Sequence, residues 1–197
     1  ARQVAGWQIR NLATLGGNVI NASPAADMVP PLLTLDANVS ILRSDGKRRS
    51  VNIENFLLGY RKVDLQQGEL VEHFRFKVQP DMLYTFRKVQ PRRSMAIAML
   101  NLAILVKIKH KKIEDLRIAM GAVAPTAVRL HRIEQRLLGM KVDQLIEDDV
   151  LQIVADEISP IGDFRASKNY RLNVARDLLG EQLQLIFKAS KNLPEVI

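Results

Sequence analysis

Apolar and polar positions alternate as strands through the middle of the chain and recur at helical spacing near its end. Val4 to Ala22 form a short amphipathic stretch broken by Gly16-Gly17, a pair open to backbone conformations closed to other residues. Pro24-Ala25-Ala26-Asp27 leads through Pro30-Pro31 into Leu32-Leu33-Thr34-Leu35, which predicts a helical turn entered by prolines and packed on an apolar face. Asn38 to Leu42 alternates as a strand, Asp45-Gly46 is a hairpin turn, and Lys47 to Val51 returns antiparallel. A short helix is expected over Ile53 to Leu58, with a loop at Gly59-Tyr60-Arg61-Lys62. Strand patterns follow at Glu69 to Val78, Met82 to Val89, Met95 to Ile108 and Leu116 to Val123, as in a mostly antiparallel sheet. Beyond Pro125 the spacing changes to three and four. Val128 to Leu138, Val150 to Ile158 and Tyr170 to Ile186 read as helices, the first stopped by Gly139.

Strands followed by helices, rather than strict alternation, argue for an α+β architecture. The pattern divides near Pro80, into residues 1–79 and a unit of residues 80–197 in which an antiparallel sheet is backed by helices.

Composition narrows the function classes. With 197 residues, 47% hydrophobic and 25% charged, the chain has apolar material for one large domain or two modest ones. No apolar run reaches bilayer length, and Leu100 to Val106 is interrupted by Asn101 and followed at once by Lys107. Ala1-Arg2-Gln3 lacks an initiator Met and a charged-then-apolar leader, so the chain reads as a soluble, processed or truncated product. A cytoplasmic location is expected. Without cysteine it offers no thiolate to zinc or an iron–sulfur cluster, so any cluster belongs to a partner. His73, His110 and His131 have no second ligand at a metal-binding spacing, and no metal site is expected.

A net charge of +8 raises a nucleic-acid reading, because clustered Lys and Arg release counterions from phosphates. The densest cluster, Lys107 to Lys112, lies between two apolar runs, where a solvated hairpin end is expected instead. No RNA-binding aromatic signature or zinc finger accompanies it. The excess charge equally suits an anionic cofactor or an acidic partner subunit.

The most informative segment runs from Gln8-Ile9-Arg10-Asn11-Leu12-Ala13-Thr14-Leu15-Gly16-Gly17-Asn18 to Ala22-Ser23-Pro24-Ala25-Ala26-Asp27. Glycine pairs let backbone N–H groups converge on an anion, and Thr14 and Asn18 offer side-chain donors to phosphate or ribose oxygens. Asp27 can accept from cofactor hydroxyls. The pattern is neither a Rossmann nor a P-loop fingerprint, and local chemistry alone leaves a simple turn as the alternative.

This stretch resembles the second FAD motif of the xanthine dehydrogenase and carbon monoxide dehydrogenase flavoproteins, a family with an "IRN-ATxGGN-ASPxxD" pattern. Asp36-Ala37, Phe56-Leu57-Leu58-Gly59-Tyr60-Arg61-Lys62 and Gly68-Glu69-Leu70 resemble its succeeding blocks in order. So do Phe86-Arg87-Lys88 with Arg92-Arg93, Gly121-Ala122-Val123-Ala124-Pro125-Thr126 with Arg129 and Glu134, and Pro160, Asp163, Arg165, Ser167, Tyr170 and Arg171. The resemblance implies the rear part of a two-part FAD-binding domain (residues 1–79) followed by a C-terminal flavoprotein domain of the carbon monoxide dehydrogenase type (residues 80–197).

By position, the resemblance puts Ala13, Thr14, Gly17, Asn18 and Asp27 along FAD, with Ile20 and Val71 on its apolar surfaces. Ala5 and Gly6 match a loop near the adenosine part, and Lys88 a lysine near the flavin ring. A fixed cation there would favour the reduced flavin. The bland reading of Lys88 is a solvent-facing strand lysine. Asp163, Arg165 and Arg171 read as structural, around the start of the last helix.

The implied function is an oxidoreductase's electron-transfer subunit. It would pass electrons through FAD between iron–sulfur clusters and NAD or another acceptor, with molybdopterin and 2Fe–2S clusters on partner subunits. Arg92-Arg93-Ser94-Met95-Ala96 lacks the acidic residue many relatives carry after the basic pair, which leaves the acceptor open. The family's first glycine loop, an "AGGT"-like pyrophosphate loop, has no counterpart here, and the chain by itself is expected to bind FAD weakly or not at all. The alternative is a non-catalytic assembly element, or a module for nucleic acid or an acidic partner, that has lost FAD.

Overall fold

The computed structural model describes residues 1–78, 81–93, 95–142 and 148–190, and the boundary expected near Pro80 lies outside them. Three short helices come first, α1 (Trp7–Leu12), α2 (Leu15–Ile20) and α3 (Val29–Thr34). The hairpin β1 (Asn38–Arg43) and β2 (Arg48–Asn52) turns at Gly46, whose φ of 80° only glycine adopts freely. After α4 (Ile53–Phe56) come β3 (Leu57–Gly59), β4 (Lys62–Val63) and β5 (Glu69–Arg75). The second half holds β6 (Leu83–Val89), β7 (Leu100–Lys109), β8 (Lys112–Gly121), β9 (Val128–Arg129), α5 (His131–Leu137), α6 (Asp148–Glu157) and α7 (Lys168–Ser190).

Two larger antiparallel sheets organise the described elements, a three-stranded one in the order β2-β1-β5 and a four-stranded one in the order β6-β7-β8-β9, beside a two-stranded β3-β4 ladder. Alternation along β7 explains the main core. Leu100, Leu102, Ile104 and Val106 face one side, where Ile118 and Met120 of β8, Ile133 and Leu137 of α5, Val154 of α6, and Leu179 and Leu183 of α7 complete a dry cluster. Arg171 in the first turn of α7 is buried and donates to the carbonyls of Met99 and Ala122 and to Asp163, which fixes the helix to the sheet.

The opposite face of β7 is buried as well, so Leu100 to Val106 read as an apolar run on both faces, broken by Asn101 alone. Ala103 and Ala119 are paired across the strands, and α3 packs on β7 and β8 on that side. Its Val29, Leu32 and Leu33 share a second cluster with Val39 and Ile41 of β1, Ile53 and Phe56 of α4, and Ala119 of β8. Two arginines close the C-terminal end of α3. Arg129 donates to the Leu33 carbonyl (3.2 Å) and Arg117 to that of Thr34 (3.4 Å), and both pair with Asp36 at 2.6 and 2.7 Å. Cations belong at a helix C-terminus, where unpaired carbonyls carry negative partial charge.

Several boundaries differ from the sequence expectation. Residues Met95 to Met99 are irregular, and β7 begins only at Leu100. Val128 and Arg129 pair with β8 as an edge strand instead of opening a helix, which starts at His131. The helix expected to Leu58 ends at Phe56, because Leu57 pairs with Val63. Among the described residues, no helix is long and apolar enough to cross a membrane.

Candidate functional site

The loop from Asn21 to Asp27, flanked by α2 and α3, is held from several sides. Asn18 in α2 accepts from the Met28 N–H (3.2 Å), the Ala22 carbonyl accepts from Arg61 N–H (3.1 Å), and Pro24 accepts from Ala122 N–H (2.7 Å). Ser23 Oγ accepts from Ala25 N–H at 3.3 Å. The backbone is therefore fixed without large side chains. Between it, the Val4–Ala5 segment and Ala96-Ile97 lies an open cleft of about 340 Å³.

The glycine pair does not form the break expected of it. The chain interrupts at Ala13-Thr14 instead, and Gly16-Gly17 sit inside α2, whose N-cap Thr14 accepts from Gly17 N–H at 2.9 Å. Neither glycine has positive φ. A threonine N-cap stabilises a helix start and offsets part of the cost of the two glycines inside it. What the missing side chain provides is space. Gly17 is exposed on the cleft wall, and a Cβ there would stand 3.1 Å from Thr14 Oγ1.

Asp27 is the chemical centre of the site. It is 8% exposed, and its carboxylate is gripped from the four-stranded sheet. Lys88 Nζ donates to Oδ2 at 2.6 Å and to the Gln3 carbonyl at 3.0 Å, while Asn101 Nδ2 donates to Oδ1 at 3.1 Å. Lys88, Asn101 and Gly121 are direct cross-strand neighbours on β6, β7 and β8. The Lys88 side chain is only 1% exposed, which excludes the solvent-facing alternative for it. Asp27 and Val4 also border a second cavity of about 300 Å³, walled by Arg2, Met28, Tyr84 and Phe86 among others.

Of the residues expected to hold a cofactor, Ala5, Ala13, Thr14, Gly17, Asn18 and Asp27 line the larger cleft together. Gly6 is buried beside it, and a Cβ there would meet Met95 Cγ at 3.0 Å. Lys88 stands behind Asp27. Ile20 is half-buried on α2 and Val71 packs on the cluster under the three-stranded sheet; neither lines the cleft. The donor set fits a phosphorylated, hydroxyl-bearing ligand. Thr14 keeps its O–H and Asn18 its amide NH₂ as donors, since the bonds above use their oxygens as acceptors, and Asp27 accepts.

Sequence reasoning missed Asn101, Ala96 and Ile97. A lone asparagine inside Leu100-Asn101-Leu102-Ala103-Ile104 was the available signal for the first, because a polar side chain at a two-sided buried strand position needs a partner. The other two come from irregular backbone, which carries no periodic pattern.

Residues 1–76 match the family described as the FAD binding domain in molybdopterin dehydrogenase, and residues 84–185 the CO dehydrogenase flavoprotein C-terminal domain. The glyceraldehyde dehydrogenase medium chain of Sulfolobus acidocaldarius is 33% identical over 90% of this chain and 62% of its own length. The xanthine dehydrogenase FAD-binding subunit of Escherichia coli O157:H7 is 32% identical over 90% of this chain and 61% of its own. Among solved structures, Cu,Mo-CO dehydrogenase superposes with a TM-score of 0.85 at 25% identity, over 91% of this chain and 63% of that one. Quinoline 2-oxidoreductase from Pseudomonas putida 86 gives 0.83 at 25%, over 95% and 65%. The chain thus spans less than two thirds of the length of these relatives.

Proposed function

This chain belongs to the flavoprotein family that binds FAD in molybdopterin dehydrogenases, and on that premise we propose that it holds FAD in the cleft in front of Asp27. In this reading it is the electron-transfer subunit of a cytoplasmic molybdenum hydroxylase, with residues 1–79 and 80–197 as its FAD-binding and C-terminal flavoprotein domains. Iron–sulfur and molybdopterin subunits are its partners, and NAD or another acceptor exchanges electrons with it. The observation that carries the reading is the convergence of Ala5, Ala13, Thr14, Gly17, Asn18 and Asp27 on one cleft.

When bound, FAD supplies the redox chemistry; the protein contributes position and electrostatics. Thr14 and Asn18 donate to phosphate or ribose oxygens, and Asp27 accepts from a cofactor hydroxyl. The alanines and Gly17 keep the wall low enough for close approach. Lys88 adds a buried positive charge behind the carboxylate. The visible absorption spectrum of the purified protein, before and after adding FAD, tests this. With a complementing fragment that carries the pyrophosphate loop, flavin bands that persist through gel filtration are expected; the chain by itself should hold FAD too weakly to keep them. A complemented protein that is colourless and takes up no FAD would refute the reading, and steeply salt-dependent nucleic-acid binding would favour the alternative module.

A further inference from the structure

Asp27 lies on the first segment of the chain, whereas both groups that hold it belong to the four-stranded sheet. Lys88 satisfies one carboxylate oxygen and Asn101 the other. Lys88 on β6 and Asn101 on β7 face each other across the ladder, so their side chains rise together from one row of the sheet. Asn101 is fully buried and, among the described residues, its side chain makes this single donation, with Oδ1 unpartnered. Gly121, the next residue in the row, makes room for it: a Cβ there would come within 2.2 Å of Asn101 Oδ1, so the amide occupies space that only a glycine leaves open.

A buried amide in the otherwise apolar first part of β7, for one bond, is costly unless that bond has a use. A carboxylate with each oxygen held by one donor has a fixed plane, and its remaining lone pairs point in fixed directions. Asp27 lines the cleft, so those directions define where a ligand hydroxyl can sit. We propose that Asn101 is a positioning residue for FAD, acting through Asp27 and never touching the cofactor itself. The inference rests on the assignment of FAD to this cleft. It adds that the sheet of the second half, through one asparagine, orients a binding group of the first half.

The test is a double-mutant cycle on FAD affinity in the intact flavoprotein. Asn101→Leu removes the donor at similar volume, and Asn101→Asp replaces it by an acceptor without changing size. Each should weaken FAD binding by about tenfold or more, the equivalent of one charge-assisted hydrogen bond. In an Asp27→Ala background, adding Asn101→Leu should change affinity by less than about twofold, because the route through Asp27 is already gone. Melting of the FAD-free variants, followed in parallel, reports folding separately. Affinity within about twofold of wild type in Asn101→Leu, or the same loss with and without Asp27, would make Asn101 a structural residue and overturn the proposal. Failure of both variants to fold would do the same. Wild-type protein that binds no FAD would overturn instead the reading on which it rests, and this inference with it.

Discussion

Replacing Lys88 by Met removes a cation from a place that water does not reach. In the wild type the ammonium lies 2.6 Å from Asp27, with the two side chains 1% and 9% exposed. Methionine fills most of the same volume, so the cavity contribution is small and the dominant effect is an Asp27 carboxylate left with Asn101 as its one side-chain donor. Removing one partner of a buried ion pair costs about 3–5 kcal/mol. For a protein of this size each kcal/mol shifts the melting temperature by roughly 2–4 °C, so the variant should melt roughly 6–20 °C lower. Adding Asp27→Asn removes the orphaned charge, and the double variant should regain most of that loss. With FAD bound, Lys88→Met should also lower the flavin midpoint potential, since a net negative charge at Asp27 disfavours the electron-rich reduced ring. Calorimetry of the FAD-free protein and redox titration of the loaded one are the assays. A melting point within about 2 °C of wild type, a double variant no better than the single, or an unchanged or raised potential would refute the reasoning.

Asp27→Ala should weaken FAD retention by about 10- to 100-fold in a flavin titration, the worth of a charge-assisted hydrogen bond, and destabilise the apoprotein by orphaning Lys88. Gly17→Val should weaken FAD binding further while the fold survives, because the residue is helical and exposed and its branches fill the cleft wall; normal binding would remove Gly17 from the site. Gly121→Ala should lower stability by about 1–3 kcal/mol in urea unfolding, since its Cβ would meet both Asn101 Oδ1 and the Pro24 carbonyl. Burial pushes the Asp163 carboxyl up, but the N–H groups of Arg165 and Ala166 and the Arg171 and Arg165 side chains outweigh it and hold the group at about 2, below the ordinary 3.8. A depressed value stabilises the fold above the ordinary range and loses that contribution as pH falls from about 4 towards 2. Asp163→Asn should therefore be less stable at neutral pH and flatter in that window.

The α+β order, the Asp45-Gly46 hairpin and the helical final third were legible because period-two and period-three-to-four spacing report directly on buried faces. Residue order along the FAD motif was legible only through family resemblance. The physics of Gly16-Gly17 pointed the wrong way. Glycine flexibility suggested a turn, and Thr14, three residues before Gly17, set a helix start that local reading did not weigh. For Lys88, alternation on β6 could not say which face was covered, because what covers it is the distant segment of Gln3 and Asp27. Val128 and Arg129 were assigned to a helix for a similar reason. Their pairing with Met120 and Ala119 is a tertiary contact that overrides local spacing.

Helix α3 sits between two sheets and is clasped at its end by Arg117 and Arg129, both from the second half of the chain. Its amides should consequently exchange hydrogen as slowly as those of β8, although some eighty residues of sequence separate them. The two halves then share one cooperative unfolding unit. Exchange of one half for that of a relative, as a modular cassette, would succeed only if the donor brought arginines that meet the same carbonyls.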